Sequence, residues 1–340
     1  MMLKVAIAGT GYFSRFHYDA WSRLAGTEVV GAASHDPAGL AEIGERYGIK
    51  AIFDDVGDMS DRTKPDLLDI VVPPVAHQAL LEEAAKRRIN VICQKPLGGT
   101  LETAGAMVER AEAAGIAFAV HENFRFQPWY REAKCLMVEG RLGEVTNVSF
   151  RLRPGDGQGP KAYLDRQPYF QTMKRFLVHE TAIHLIDSFR YLMGEVRGVY
   201  AHLRQVNPAI AGEDSGYLVF TFASGATGLF DGNRLLGFPA DNPRLTMGEL
   251  LVEGTGGSLR LDGDGGLWLR AHDGPEEEHT YDWENRSFGG DCVFALQRHV
   301  LDHLRDGTPL ENSGRDYLMN LEIEELVYRS AEAGQFLSLD

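Results

Sequence analysis

The stretch Phe176–Asp187, FLVHETAIHLID, carries a carboxylate and an imidazole four residues apart. On an α-helix this spacing puts Glu180 and His184 on one face, with Asp187 near the same stripe. Ile183 and Leu185 flank them with apolar surface. An acid and an imidazole in such a setting suit proton transfer near neutral pH. The bland alternative is a satisfied core pair, so the rest of the chain has to bring a reaction here. His179 adds a second imidazole, but it lies at i,i+5 from His184, about 140° around an α-helix. A zinc-binding helix needs i,i+4, so no metal is expected. A serine elbow and a Walker loop are both missing from the sequence.

Upstream, Leu3–Ala8 reads as a buried parallel strand. It stops at Gly9-Thr10-Gly11, and a helical pattern starts near Ser14. Strand, glycine turn and helix together suggest a dinucleotide site. Gly9 permits the tight turn, and Gly11 lets backbone approach a pyrophosphate at the helix N-terminus. Tyr12 and Phe13 belong to the same turn, and Ser14 stands at the usual third small position. A second strand, Glu28–Ala33, delivers Ser34, His35 and Asp36 to where the adenosine ribose is read. Asp36 favours NAD, whereas Ser34 admits the extra phosphate of NADP, so that choice stays open. The strand Leu68–Val72 runs into Pro73 and Pro74, with His77 opening the next helix. Asn90–Cys93 then brings Gln94 and Lys95 to the same sheet edge, where open α/β sheets bind ligands. Pro96 holds Lys95 extended, so the lysine is aimed. Alternating strands and helices make residues 1–122 a doubly wound parallel domain.

Residues 123–340 read as a second α/β domain with a large, open, mostly antiparallel sheet. Asn123–Trp129 bridges the two, and Arg125 in it could reach substrate or cofactor or form an interdomain ion pair. PGDGQGP (Pro154–Pro160) is a flexible loop by composition. The polar, aromatic run Ala162–Arg175 leads into the opening helix, and Tyr163 and Arg175 are its candidate substrate contacts. Asn233-Arg234 ends a strand that approaches the pocket. The acidic run Asp273–Glu278 reads as a solvated turn. An open sheet face usually finds cover, so a homo-oligomer, dimer or tetramer, is expected through this domain.

The chain has 340 residues, 44% hydrophobic, which suits two domains. A net charge of −15 argues against nucleic acid or an anionic membrane as partner. The three cysteines, Cys93, Cys135 and Cys292, show no paired spacing and read as reduced thiols. The first residues enter a strand directly and resemble no signal peptide, and no run reaches the roughly 18 apolar residues of a membrane span. A cytoplasmic location is the expectation.

These motifs, in order, resemble the glucose–fructose oxidoreductase / inositol dehydrogenase / MocA family: AGTGYFSRFH, VVPPVAH, VICQKPL, NFRFQPWY and HETAIHLID. The resemblance covers nearly the whole chain and implies a Rossmann domain, a second domain with a large sheet, and NAD(P)-dependent oxidation of a sugar or polyol hydroxyl, or the reverse. It implies that Lys95 is the catalytic lysine and His184 the catalytic histidine. Glu180 stands where aspartate is usual, and Gln94 replaces the usual glutamate. The stretch GDGQGPKAYLDRQPYFQTMKRFLVHET narrows the resemblance to dehydrogenases that oxidise a branched pentose at its anomeric hydroxyl to a lactone. Polyol or inositol oxidation and keto-sugar reduction are the family alternatives. In the implied mechanism His184 removes the hydroxyl proton, Lys95 stabilises the alkoxide, and Glu180 positions substrate or imidazole, while Asp187 caps or pairs. A non-catalytic sugar–nucleotide sensor is the reading from another class. Such a sensor has no need for both Lys95 and His184.

Overall fold

A computed structural model describes residues 2–339. By internal contacts the chain forms two units: residues up to Asn123 with Asp291–Met319, and Phe124–Gly290 with the residues from Asn320 onward. The sequence-based boundary assigns everything after residue 122 to the second domain. Asp291–Met319 instead packs within the first unit.

The first unit holds six parallel strands: β1 (Leu3–Ala8), β2 (Thr27–Ala33), β3 (Ile52–Phe53), β4 (Leu67–Ile70), β5 (Asn90–Gln94) and β6 (Phe118–His121). Their order is β3-β2-β1-β4-β5-β6. The strand order reverses direction between β1 and β4, so the ligand crevice is expected at the carboxyl ends there. Covered on both faces, these strands need continuous apolar runs, and Val5–Ala8 and Leu67–Ile70 are buried throughout.

The crossover helices are α1 (Ser14–Arg23), α2 (Pro37–Tyr47), α3 (Val56–Thr63), α4 (His77–Arg87) and α5 (Leu101–Ala114). Their ends follow local chemistry. Asp36 caps α2 through the Ala38 N–H, Asp55 caps α3 through that of Asp58, and Thr100 caps α5 through that of Thr103. α3 carries little sequence signal, because VGDMSDRT offers only Val56 and Met59 as apolar residues.

The second unit carries α6 (Pro128–Val138), β7 (Val145–Leu152), α7 (Ile183–Met193), β8 (Val196–Arg204), β9 (Ser215–Phe222), β10 (Thr227–Asn233), β11 (Gly248–Gly254), β12 (Gly257–Leu261), β13 (Leu267–Ala271), β14 (Glu276–His279) and β15 (Leu337–Ser338). These strands form one sheet, β14-β13-β12-β11-β7-β10-β9-β8-β15, antiparallel except between β7 and β10. Alternation sets its two faces. Val148, Phe150, Leu218, Phe220 and Phe230 are buried, while Tyr200, Tyr217 and Leu229 on the other face are exposed. The acidic run expected as a turn is partly strand: Glu276–His279 pairs with β13. β14 lies at the sheet edge, where its carboxylates remain solvated and Glu276 pairs with Arg260 at 2.7 Å. α8 (Cys292–Asp306) packs on α1 in the first unit, and α9 (Gly314–Ala333) follows it. No helix among the described residues is long and apolar enough to cross a membrane.

Candidate functional site

In the first unit the glycine turn has the form a pyrophosphate requires. Gly9 sits at φ +118°, and a Cβ there would lie 2.1 Å from the Val71 carbonyl oxygen. Only glycine lets β1 cross so close to the end of β4. Gly11 is the opposite case, because a Cβ on it meets nothing within 4 Å. Its open face lies before α1, whose N-terminus has no side-chain cap, so the positive end of the helix dipole is what an anion there would meet. Ser14 is buried and donates its hydroxyl to the Gly11 carbonyl at 2.8 Å, which fixes the turn. Tyr12 is exposed beneath the Arg15 guanidinium at 4.1 Å, and Phe13 packs on Phe16.

At the end of β2 the Ser34 and Thr10 hydroxyls meet at 2.9 Å, and Ser34 accepts the Asp36 N–H at 3.1 Å. Asp36 and His35 are exposed, and Asp36 also caps α2. Beside them opens a cavity of about 650 Å³ lined by Ser34, His35, Leu40, Phe53, Asp58 and Arg62. A glycine crossing with no room for Cβ, an open Gly11 face, an uncapped helix and this cavity fit a dinucleotide such as NAD.

After β4, Pro73 precedes a short 3₁₀ turn, Pro74–Ala76. His77 was a candidate cofactor contact. The structure buries it, with its Nε2 on the Val72 carbonyl at 2.8 Å, so it fastens the diproline turn. Burial pushes its pKa below the ordinary histidine value. Gln94 closes β5, and its side-chain oxygen accepts the Lys95 N–H at 3.1 Å. Lys95 is half-buried, and its peptide bond to Pro96 is cis.

In the second unit the opening stretch is not one α-helix. Leu177–Ala182 is a π-helical turn, and α7 begins at Ile183. The 140° separation of His179 and His184 assumed α geometry, which the π turn replaces. What removes His179 is its own partner, Glu324 Oε1 at 2.6 Å from Nδ1. Buried Glu213 anchors the turn: its Oε1 accepts the Phe176 and Val178 N–H groups, each at 3.1 Å, and the Tyr328 hydroxyl at 2.7 Å. His184 is buried and lies flat on the Phe124 ring, with centroids 4.1 Å apart and planes 5° apart.

Glu180 is held by Arg234 at 3.2 Å and accepts the Thr181 hydroxyl at 2.5 Å. Arg234 is fully buried. It also forks onto Asp156 through Nε at 3.3 Å and Nη2 at 2.9 Å, and donates to Thr181. The rings of Phe176, Tyr163 and Phe170 surround its guanidinium at 4.9, 5.2 and 5.7 Å. Burial alone would lower the pKa of Arg234, but Asp156, Tyr163 and Glu180 hold it raised, so the cation stays charged. Tyr163, a candidate substrate contact, is itself buried, donates to Asp156 at 3.0 Å, and has its pKa raised first by burial.

Two further candidates are committed elsewhere. Arg125 clamps Asp187 at 2.7 and 2.5 Å inside this unit, so the interdomain pair considered for it is an intradomain one. Asn320 also donates to Asp187, at 2.7 Å. Arg175 pairs with Glu325 and stacks over Tyr328 at 4.2 Å. The Pro154–Pro160 loop, flexible by composition, is tied down. Gly157 N–H reaches the Arg234 carbonyl at 2.9 Å, and Asn207 donates to the Gly157 carbonyl at 2.8 Å. Arg234 was singled out only as a strand end. Its partners Asp156 and Glu180 lie 78 and 54 positions away, which no local pattern reveals.

Residues 3–122 match the oxidoreductase family described as having an NAD-binding Rossmann fold, and residues 130–260 match the Gfo/Idh/MocA C-terminal domain. The chain is 34% identical to D-apiose dehydrogenase of Paraburkholderia graminis, over 99% of this chain and 89% of that protein. It is 29% identical to D-apiose dehydrogenase of Rhizobium rhizogenes, over 99% and 97%. Among solved structures it resembles an oxidoreductase from Agrobacterium radiobacter in complex with NAD+, L-tartaric acid and magnesium. There the TM-score is 0.89 and the identity 29%, covering 99% of this chain and 98% of that one. The chain belongs to the Gfo/Idh/MocA family of NAD-dependent oxidoreductases.

Proposed function

We propose that this enzyme oxidises the anomeric hydroxyl of a small aldose, D-apiose in the first instance, to its lactone. The observation that carries the reading is the 34% identity to a D-apiose dehydrogenase across 99% of the chain. When bound, NAD supplies the hydride acceptor. His184 takes the hydroxyl proton through a ring nitrogen, its imidazole held flat by Phe124. Lys95 stabilises the developing alkoxide with its ammonium group. Glu180, paired with Arg234 at 3.2 Å, orients the sugar hydroxyls. The exposed face of the large sheet, with Tyr200, Tyr217 and Leu229, suits a second copy of the chain.

The test is NADH formation across a panel of aldoses, inositols and polyols, with NAD and NADP side by side, and carbon NMR of the product. D-Apiose as the preferred substrate, with a lactone or its acid as product, supports the reading. An inositol or polyol as best substrate with a ketone product overturns the anomeric assignment. Nucleotide binding without turnover on any sugar overturns the substrate class. His184→Ala should lower turnover by about 10²–10⁴-fold while NAD affinity stays near wild type. Full activity in that variant removes His184 from the mechanism.

A further inference from the structure

Beneath Lys95 lies a chain of buried polar side chains that the proposed mechanism does not use. His17 on α1 and Asp69 in β4 are both fully buried, and His17 Nδ1 lies 2.8 Å from Asp69 Oδ2. Trp21 Nε1 donates to the same Asp69 oxygen at 2.7 Å. On the other side of the imidazole, Gln94 Nε2 is 2.9 Å from His17 Nε2 and 3.5 Å from His121 Nδ1. The His17 and His121 rings lie with centroids 4.0 Å apart and planes tilted by 33°. Gln94 Oε1 accepts the Lys95 N–H at 3.1 Å. All of these groups belong to the first unit.

The directions of these bonds follow from one fixed donor. A backbone N–H can only donate, so the Gln94 atom facing Lys95 is the carbonyl oxygen. Its amide nitrogen therefore faces His17 and donates to Nε2. That nitrogen must carry a lone pair, which leaves the imidazole proton on Nδ1, donated to Asp69. We propose that Asp69, His17 and Gln94 form a positioning relay that seats the Lys95 backbone and holds His17 as the neutral Nδ1–H tautomer.

The electrostatics are specific. The relay carries a single negative charge, that of Asp69, with His17 and Gln94 neutral. A carboxylate at position 94 would face the His17 lone pair and drive a proton onto the ring, since a charged neighbour favours the charged imidazole. The titratable groups facing His17 are Asp69 and His121, with Lys95 reached through Gln94. Cys93 and Tyr18, close to Asp69, are kept neutral by burial, which raises both pKa values.

The inference rests on the reading of Lys95 above only for its effect on turnover, so two measurements on the full-length protein avoid activity altogether. Nitrogen NMR of imidazole-labelled protein reads the His17 tautomer, with the resonance assigned by its loss in His17→Asn. Wild type should show a protonated Nδ1 and a bare Nε2 at neutral pH. Gln94→Glu should convert His17 to imidazolium at neutral pH. An imidazolium or an Nε2–H tautomer in wild type overturns the relay, as does an unchanged His17 titration in Gln94→Glu.

Amide hydrogen exchange reads the seat of Lys95. Its N–H should exchange at least about 10-fold faster in Gln94→Ala, at an unfolding midpoint near wild type. Unchanged exchange overturns the seating. On turnover, Gln94→Ala should lower kcat with NAD affinity retained, and Gln94→Glu should recover kcat only where His17 is protonated. If no sugar is turned over at all, the substrate reading fails, while the tautomer and exchange results still decide the relay.

Discussion

Arg234→Met tests whether one buried cation holds the second unit's polar cluster together. The side chain is 2% exposed and carries three charge-assisted bonds of 2.9 to 3.3 Å to Asp156 and Glu180. Methionine keeps an apolar stem but ends near the position of Arg234 Nε, so it also empties the space that the guanidinium fills between Tyr163, Phe170 and Phe176. The single variant therefore removes charge and packing together, and a double variant separates the two. Removing one partner of a fully buried pair costs about 3–5 kcal/mol, because the other charge is left uncompensated. Asp156 and Glu180 are 21% and 23% exposed and Asp156 keeps Arg166 at 3.3 Å, so water and that second cation recover part of the cost. A loss of about 2–3 kcal/mol remains. Arg234→Lys keeps the charge but loses the fork, and should cost about 1–1.5 kcal/mol. Urea unfolding reads both as shifts of the midpoint at constant slope. If the lost attraction between cation and carboxylates is the cause, adding Asp156→Asn to Arg234→Met should restore about 1 kcal/mol relative to the summed single losses. A methionine variant within about 0.5 kcal/mol of wild type, or strictly additive losses in the double variant, refutes the reasoning.

The two glycines of the nucleotide turn should separate stability from binding. Gly9→Ala forces a Cβ into the Val71 carbonyl and strains φ, costing at least about 1–3 kcal/mol in thermal or urea unfolding. Gly11→Ala has open space and should unfold like wild type, yet lose NAD affinity by at least about 10-fold in calorimetric titration, because its methyl occupies the face the pyrophosphate approaches. His77 has a folded pKa below its unfolded one, so its stabilisation is complete above the unfolded pKa and is lost as pH falls from about 6.5. The slope of stability against pH between 6.5 and 5 should be shallower in His77→Asn by up to about 1.4 kcal/mol per pH unit. Thiol titration of the native protein should find Cys135 alone reacting quickly, because Cys93 and Cys292 are buried with raised pKa values; all three should react in denaturant. Rapid native reaction of a second thiol contradicts the burial.

The first unit was legible because its physics is local. A run such as LKVAIA has to be buried on both faces, and a glycine turn followed by a helix has few other uses. What escaped depended on partners distant in the chain. α3 offers only Val56 and Met59 as apolar residues and is marked by its Asp55 cap. β14 is acidic and becomes a strand only because β13 lies beside it. The π turn at Leu177–Ala182 follows from Glu213, which no pattern links to residues 176–178. Glu180 and His184 were legible as an acid and a base. Their settings were not: Glu180 faces a cation from β10's end, and His184 rests on a ring from before α6. Arg125 and Arg175 looked available in the sequence, but each has a partner far along the chain, and Tyr163 is taken by Asp156 seven positions before it.

The return of Asp291–Met319 to the first unit has a consequence for how the protein is made. Arg23 on α1 binds Asp291 with two bonds, at 2.8 and 2.6 Å, and its guanidinium lies 4.5 Å from the Phe294 ring. Val120 in β6 is bonded by Asn312 on both its N–H and its carbonyl. During synthesis, therefore, the nucleotide-binding sheet emerges first yet waits for Asp291–Met319 to reach it, after the whole of Phe124–Gly290 has been made at the roughly 5–20 residues per second of translation. A ribosome stalled after residue 123 would expose β6 and one side of α1, surfaces that a chaperone or a protease would meet before the finished enzyme does.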